Sequence, residues 1–194
     1  MIQENLKKYH IILGSSSPRR KELLSSLNIK FVIRKSHQKE YYPTKLKEKE
    51  IAEFIAKSKA AIICKKLSNN YLLITADTIV LKNDNILHKP KDKNQAFKLL
   101  TNISGKTHKV ITGVCIKSKQ KEVTFSSKTE VTFNKLSKNE ILYYIENFKP
   151  FDKAGSYAIQ EWIGYIGVKK INGSYNNVVG LPTSILYQKL KLFI

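Results

Sequence analysis

The sequence predicts an α/β protein with a mixed central sheet. Apolar segments of strand length alternate with segments whose apolar residues recur at helical spacing. Two strand-like segments, 107–116 and 122–133, are joined by a short polar connection, as antiparallel neighbours are. The chain has 194 residues, of which 42% are hydrophobic, enough for a folded core. We therefore expect one domain over residues 1–194, with a mixed, twisted sheet flanked by helices.

The first predicted strand covers residues 9–14, and a helix follows it closely. The strand sequence YHIILG is short and apolar. Ser17 is a favourable N-cap, and Pro18 suits the first helical position because its missing N–H is not needed there. The helix should then run from Arg19 to about Leu27, with its leucines on one face.

The next predicted elements are a strand at residues 29–34 and a long amphipathic helix. Between them, the polar segment 36–47 is typical of a loop. The helix should span about Lys49 to Leu67, because its alanines and isoleucines recur at the three- and four-residue spacing of one buried face.

A third strand is predicted over residues 71–81, where the apolar run YLLITA is followed by Asp77-Thr78. Asparagines and aspartate at 83–85 indicate a turn. Asp92 should cap a further helix, with Gln95 at its third position. The remaining predicted elements are strands at 107–116 and 122–133, a helix opened by Ser137 and Glu140 and ending near Asn147, a mixed loop and strand region at 149–165, a strand at 165–171 with a turn at Asn172-Gly173, and a terminal helix at 183–192.

The charge of the chain suggests anionic partners but does not identify them. Thirty-five basic residues against fifteen acidic ones give a formal net charge of +20. The basic residues are almost all lysines and are spread evenly: residues 1–97 carry +11 and residues 98–194 carry +9. A dedicated nucleic-acid surface is usually clustered, so composition bias is the simpler explanation and no dedicated nucleic-acid partner is expected. A non-enzymatic nucleic-acid-binding module stays open as an alternative.

Several classes of protein are disfavoured by the sequence. No apolar run approaches the 18 residues of a transmembrane helix, and the first residues lack the apolar core of a secretory signal. Cys64 and Cys115 cannot build a disulfide framework or a four-ligand zinc site, and the four histidines lack metal-ligand spacing. We expect a soluble cytoplasmic protein with no membrane partner.

The segment from Ser15 to Lys21 is the first candidate site. Three serines and a proline end the first strand, and Arg19, Arg20 and Lys21 occupy the first turns of the helix. Cations there face the positive end of the helix dipole, at a cost of about 0.3–1 kcal/mol each. A bound polyphosphate would explain them, because helix N-termini bind anions. The alternative is that Ser17 only caps the helix and the cations are solvated.

Asp77-Thr78 is the second candidate site. A scarce carboxylate follows the apolar strand 71–76, and ligands of α/β sheets bind at strand ends. Such a group holds Mg²⁺ or orients and deprotonates a water. The alternative is a structural aspartate. Two lysines, Lys89 and Lys153, and the Gly-Ser-Tyr loops at 155–160 and 173–182 are weak signals when taken singly.

Four motifs in a fixed order make the chain resemble the Maf family of septum formation inhibitor-like nucleotide pyrophosphatases. The likeness runs from about Ile11 to Leu186. It is carried by SSSPRRKELL at 15–24, ADTIV at 76–80, SGKTHKVITGV at 104–114, and DKAGSYAIQ with INGSYNNVVGLP at 152–160 and 171–182.

The resemblance implies a fold similar to inosine-triphosphate pyrophosphatases, with two lobes and a cleft, and a homodimer. It implies hydrolysis of nucleoside triphosphates between the α- and β-phosphates with a divalent metal, Mg²⁺ or Mn²⁺. Asp77 then corresponds to the proton acceptor, and Glu40 with Asp77 to the metal ligands. The substrate-binding positions correspond to Ser15, Ser17, Arg19, Arg20, Lys59, Thr78, Lys89, Lys153 and Gln160.

The resemblance also bears on the base. Arg19, Thr78 and Gln160 are similar to the subgroup that acts on dTTP and UTP, which is therefore the expected substrate class. Ala158 and Glu161-Trp162 depart from the small residues of the family pattern beside the glutamine. The alternative is a pyrophosphatase of purine triphosphates, such as ITP, XTP or 7-methyl-GTP.

Overall fold

A seven-stranded mixed sheet with helices around it forms the described part of the chain, which is residues 2–35, 41–67 and 70–194 of a computed structural model. The strands are β1 His10–Leu13, β2 Val32–Ile33, β3 Tyr71–Lys82, β4 Asn85–Ile86, β5 Thr107–Lys117, β6 Glu122–Phe133 and β7 Val168–Asn172. The helices are α1 Ile2–Leu6, α2 Pro18–Ser25, α3 Glu48–Cys64, α4 Lys93–Ile103, α5 Lys138–Phe148, α6 Trp162–Gly167, α7 Tyr175–Val179 and α8 Thr183–Phe193.

The order of strands confirms the α/β class and the mixed sheet. The strands follow the order β2-β1-β3-β5-β6-β7, and β4 pairs with β3. Pairing is parallel between β1 and β2 and between β1 and β3, where His10 faces Tyr71 and Leu13 faces Ile74. It is antiparallel between β3 and β4 and between β6 and β7.

Local capping chemistry explains where the predicted helices begin. The Ser17 hydroxyl accepts the Arg20 N–H at 3.4 Å, and Pro18 is the first residue of α2. Asp92 accepts the Gln95 N–H at 2.8 Å at the start of α4. At α5, Ser137 and Glu140 form the reciprocal capping box. These side chains satisfy N–H groups that have no partner within the helix.

The predicted secondary structure differs from the fold in several places. The strand predicted over residues 29–34 is reduced to the two residues of β2. Residues 165–167, expected in a strand, belong to α6, and β7 begins only at Val168. The 149–164 region contains no strand: short 3₁₀ turns at 150–152 and 154–156 precede α6. The helices α1 and α7 were not expected, because each spans only five residues, too few for a clear helical period.

The chain divides into two compact units, each with its own apolar core. The first unit comprises the chain through Asp77 together with Thr112–Ser127 and Gly180–Ile194, and the second comprises Thr78–Ile111 and Lys128–Val179. The first core includes Leu13, Leu72 and Leu186, and the second includes Leu100, Phe133 and Tyr144. The single domain over residues 1–194 stays a prediction. Among the described residues, no helix is long and apolar enough to cross a membrane.

Candidate active site

Asp77 lies inside β3, as the strand predicted over 71–81 has it, so the placement of this carboxylate at a strand end is wrong. β3 continues without interruption from Tyr71 to Lys82. Its parallel neighbour β1 is shorter: the last pair is Leu13 with Ile74, and the Gly14 N–H then donates to the Ile74 carbonyl at 2.7 Å. Asp77 is therefore three residues beyond the end of this parallel pairing. The strand that ends near this position is β1, whereas the sequence suggested the end of the strand 71–76.

A buried ion pair joins Asp77 to Lys59 of α3. The Lys59 Nζ is 2.6 Å from Asp77 Oδ1, and Asp77 is 5% exposed. Two residues earlier on the same strand face, the Thr75 hydroxyl donates to the Ala56 carbonyl at 2.7 Å. Ala56 and Lys59 are three residues apart and share a face of α3. The structure thus unites two predicted site residues and adds Thr75, which the sequence did not single out.

The loop before α2 begins next to this ion pair. A Cβ on Gly14 would lie 2.5 Å from the Thr75 Cγ2, so any side chain at this position would force its neighbours on β3 and α3 to shift. The chain after β1 therefore passes Thr75 of β3 at Gly14 and continues into Ser15. Thr75 is two residues before Asp77 on β3. Within the first unit, the start of the serine-rich loop and the buried carboxylate are neighbours.

Arg20 fixes the conformation of that loop. Its Nη1 donates to the Ser15 hydroxyl at 3.4 Å, and its Nε donates to the Gly180 carbonyl at 2.9 Å. The Ser17 N–H also donates to the Ser15 hydroxyl, at 3.2 Å. Gly180 has a φ of 129°, which favours glycine. Arg19, the other predicted arginine, lies half-buried on the first turn of α2.

In the second unit, Lys153 is held in a cluster of carboxylates. Its Nζ lies 2.8 Å from Asp152 Oδ1 and 3.3 Å from Glu161 Oε1, and the side chain is 8% exposed. A buried ammonium needs such partners because desolvation of an isolated charge is costly. The sequence offered no signal for this cluster, since Lys153 is one of many lysines.

The other predicted residues of the second unit differ in exposure. Thr78 is half-buried on β3, and Lys89 is exposed. Gln160 is half-buried, and its Oε1 is buried with no hydrogen-bond partner among the described residues. A buried amide oxygen without a partner is costly unless a ligand supplies a donor.

The chain matches the family model of Maf-like proteins over residues 10–193. It belongs to the Maf family. This Maf-like protein is 52% identical over 98% of its length to the dTTP/UTP pyrophosphatase of Parabacteroides distasonis, of which the match covers 99%. It is 53% identical over 97% of its length to the dTTP/UTP pyrophosphatase of Phocaeicola vulgatus, of which 98% is covered.

Two further matches of the Maf-like protein are a third relative and a solved structure. It is 46% identical over the whole of both chains to the dTTP/UTP pyrophosphatase of Flavobacterium johnsoniae. A crystal structure of a nucleoside-triphosphatase / dITP/XTP pyrophosphatase from Mycobacterium abscessus matches 64% of this chain and 72% of that one, with 13% identity and a TM-score of 0.41.

A divalent metal fits the carboxylates of the Maf-like protein only in part. The described ranges hold no group of three or more His, Cys, Asp or Glu side chains that could cage an ion. Mg²⁺, however, typically uses one or two carboxylates together with substrate phosphates. Asp77 fits that pattern, whereas Glu40, the other predicted ligand, lies outside the described residues.

Proposed function

We propose that this Maf-like protein hydrolyses dTTP and UTP to the monophosphate and pyrophosphate. Relatives named for that activity match nearly the whole chain at about half of its positions. The structural observation that carries the proposal is the Lys59–Asp77 pair beside the loop that opens α2. It combines a carboxylate that can take a proton with cations and helix N–H groups that bind phosphate.

In the proposed reaction, a water oxygen attacks the α-phosphorus and the bond from that phosphorus to the α,β-bridging oxygen breaks. Asp77 orients the water and accepts its proton, and pyrophosphate leaves with the bonding electron pair. The buried carboxylate suits this role because a fixed base does not need to reorganise during the reaction. Lys59 keeps Asp77 in position through their 2.6 Å contact.

Cationic side chains would bind the triphosphate in this proposal. The resemblance assigns Arg19, Lys59, Lys89 and Lys153 to the phosphate oxygens, where they would stabilise the charge that develops in the transition state. Ser15, Ser17 and Arg20 shape the loop whose N–H groups complete the site. Lys153 would exchange the exposed Asp152 carboxylate for a phosphate oxygen when substrate binds.

A divalent metal, Mg²⁺ or Mn²⁺, would bind to Asp77 and, as the resemblance implies, Glu40. When bound it neutralises phosphate charge and polarises the phosphoryl group. Among the described residues, the ligand that the protein would supply to this metal is the buried carboxylate of Asp77, which Lys59 of α3 holds in position. Removal of divalent ions with EDTA should therefore abolish turnover, and either metal should restore it.

Gln160 and Thr78 would select the base. The buried Oε1 of Gln160 can accept a hydrogen bond from the N3–H of thymine or uracil, a donor that neutral cytosine lacks. A site whose acceptor faces N3 discriminates against cytosine, because N3 of that base carries a lone pair and no hydrogen.

The decisive experiment is a nucleotide panel with the purified protein and Mg²⁺ or Mn²⁺, in which pyrophosphate release is measured. We expect dTTP and UTP to be cleaved at least tenfold faster than dCTP, dATP and dGTP. Preferred cleavage of ITP, XTP or 7-methyl-GTP would overturn the base assignment. If no pyrophosphate appeared and duplex DNA bound with a steep salt dependence, the nucleic-acid module would be the better description.

Association and location of the protein stay predictions. The resemblance implies a homodimer in the cytoplasm that binds a nucleoside triphosphate. Sedimentation of the purified protein, with an expected mass twice that of the chain, tests the dimer.

A further inference from the structure

Tyr144 of α5 connects two parts of one turn through its hydroxyl group. The side chain is fully buried, and its Oη lies 3.2 Å from the Ala158 N–H. An N–H only donates, so the hydroxyl oxygen accepts this bond and its own hydrogen is directed to a Glu161 carboxylate oxygen. Burial, reinforced by Glu161, raises the pKa of Tyr144 far above its usual range, which keeps the hydroxyl protonated.

The two residues bound by Tyr144 are the ends of the turn that contains Gln160. The Glu161 N–H donates to the Ala158 carbonyl at 3.1 Å, which closes the turn. The other Glu161 oxygen lies 3.3 Å from the Lys153 Nζ, so the carboxylate is satisfied on both sides. Trp162, which follows, packs against Tyr143 with ring centroids 4.8 Å apart and ring planes tilted by 58°. The turn is therefore held from α5 by side chains and not only by its own backbone.

We propose that Tyr144 and Glu161 are positioning residues that fix the turn from Ala158 to Glu161 and so orient the Gln160 amide for the base. This inference rests on the proposed function. Neither residue needs to touch substrate. The group they place is the buried Oε1 of Gln160, which has no hydrogen-bond partner in the described part of the chain. An error of about 1 Å in such placement costs about 10²-fold in rate.

The test is the ratio of kcat/KM for dTTP to kcat/KM for dCTP. Both nucleotides carry the same sugar and triphosphate, so the ratio isolates base recognition, and a loss of folded enzyme cancels from it. Tyr144→Phe removes the hydroxyl and should lower the ratio at least tenfold. Glu161→Ala should lower it similarly. Glu161→Gln keeps an oxygen that can accept from Tyr144 and should hold the ratio within threefold of wild type.

Tyr143→Phe is the matched control, because it removes a hydroxyl from a half-exposed neighbour on the same helix and keeps the ring that packs against Trp162. It should leave the ratio within twofold. An unchanged ratio in both Tyr144→Phe and Glu161→Ala would overturn the inference, even if both variants melt at lower temperature. So would a wild-type protein that cleaves dTTP and dCTP equally well.

The proposed function has a separate readout in the same experiment. If the wild type released no pyrophosphate from either nucleotide, the proposed pyrophosphatase activity would be refuted. The ratio of dissociation constants for dTTP and dCTP, measured by titration calorimetry on the same variants, would then decide the inference by the same tenfold criterion.

Discussion

The ion pair between Lys59 and Asp77 is buried within the first unit. Their side chains are 17% and 8% exposed, so water screens the pair poorly. Removal of one partner from a buried pair typically costs about 3–5 kcal/mol, because the other charge is left uncompensated. The pair therefore has a structural role that must be separated from any role in chemistry.

The substitution Asp77→Asn separates the structural role of the ion pair from a role of Asp77 as the base. The amide oxygen can still accept from Lys59, but it cannot take a proton from water. We expect kcat for dTTP to fall about 10²–10⁴-fold, the usual contribution of a general base. Pyrophosphate release under saturating dTTP measures the change, and circular dichroism confirms that the variant is folded.

Asp84→Asn is the control for this substitution. Asp84 is an exposed turn residue with a φ of 62°, a conformation that asparagine adopts readily. Its turnover should equal that of the wild type. A near-normal kcat for Asp77→Asn would exclude Asp77 as the base.

Residue types and motifs predict which side chains belong to the candidate site. They do not predict which neighbouring residues those side chains contact. Asp77 was noticed because a carboxylate interrupts an apolar run, yet its contact with Lys59 links positions 18 apart and follows from the packing of α3 on β3. The resemblance assigns Arg20 to the phosphate, and in the structure its guanidinium donates to the Ser15 hydroxyl and the Gly180 carbonyl. Contacts of this kind depend on tertiary structure, which local sequence patterns do not encode.

At the scale of elements, the close approach of α3 to β5 sets the position of Lys59. A Cβ on Gly113 of β5 would lie 2.3 Å from the backbone carbonyl carbon of Ala52 in α3. Backbone cannot rotate away as a side chain does, so any side chain at 113 must push the helix outward. Ala52 precedes Lys59 by two helical turns, and a shift of the helix would displace the ammonium from Asp77.

Gly113→Ala should therefore lower both stability and turnover. Overpacking of this kind costs about 1–3 kcal/mol or more, and we expect dTTP turnover to fall at least tenfold. Urea unfolding and pyrophosphate release measure the two effects.

Gly105→Ala is the comparison for Gly113→Ala. Its Cβ would meet nothing closer than 3.7 Å, but its φ of 68° strains alanine by about 1 kcal/mol. It should lose stability and keep its rate. Equal turnover in the two variants would show that α3 does not need this spacing.

Elements with strong local signals were predicted, and short ones were not. Capping side chains marked the starts of α2, α4 and α5, because an N-cap bond is local in sequence. β4 is only two residues long and forms because Asn83 and Asp84 adopt positive φ in a tight turn. The helix α6 replaced part of a predicted strand because GYIGV suits either state and packing decided between them.

For the whole molecule, pH should affect stability through a buried histidine that plays no part in the proposed chemistry. His108 is 2% exposed in the core of the second unit, and its Nε2 lies 2.6 Å from the Tyr157 hydroxyl. Burial, with a smaller contribution from Lys82, lowers the pKa of His108 to about 4. The unfolded chain has the ordinary value of about 6.5 and binds the proton first.

The sign follows from that order of pKa values. Between pH 6.5 and 4 the unfolded state holds more protons than the folded one, so stability falls as the pH is lowered through this window. A pH of 5 is about 1.5 units below the pKa of the histidine in the unfolded chain. At about 1.4 kcal/mol per unit, the free energy of unfolding is therefore about 2 kcal/mol lower at pH 5 than at pH 7. Urea unfolding at the two pH values measures this loss.

The variants His108→Gln and His88→Gln show how much of the stability lost at low pH comes from the buried histidine. Glutamine does not titrate in this range, so His108→Gln should lose about 2 kcal/mol less than the wild type between pH 7 and pH 5. His88 is exposed in the loop before Pro90, and its replacement should leave the wild-type loss unchanged. If all three proteins lost equal stability, the acid sensitivity would come from carboxylates, whose protonation also weakens a chain with a net charge of +20.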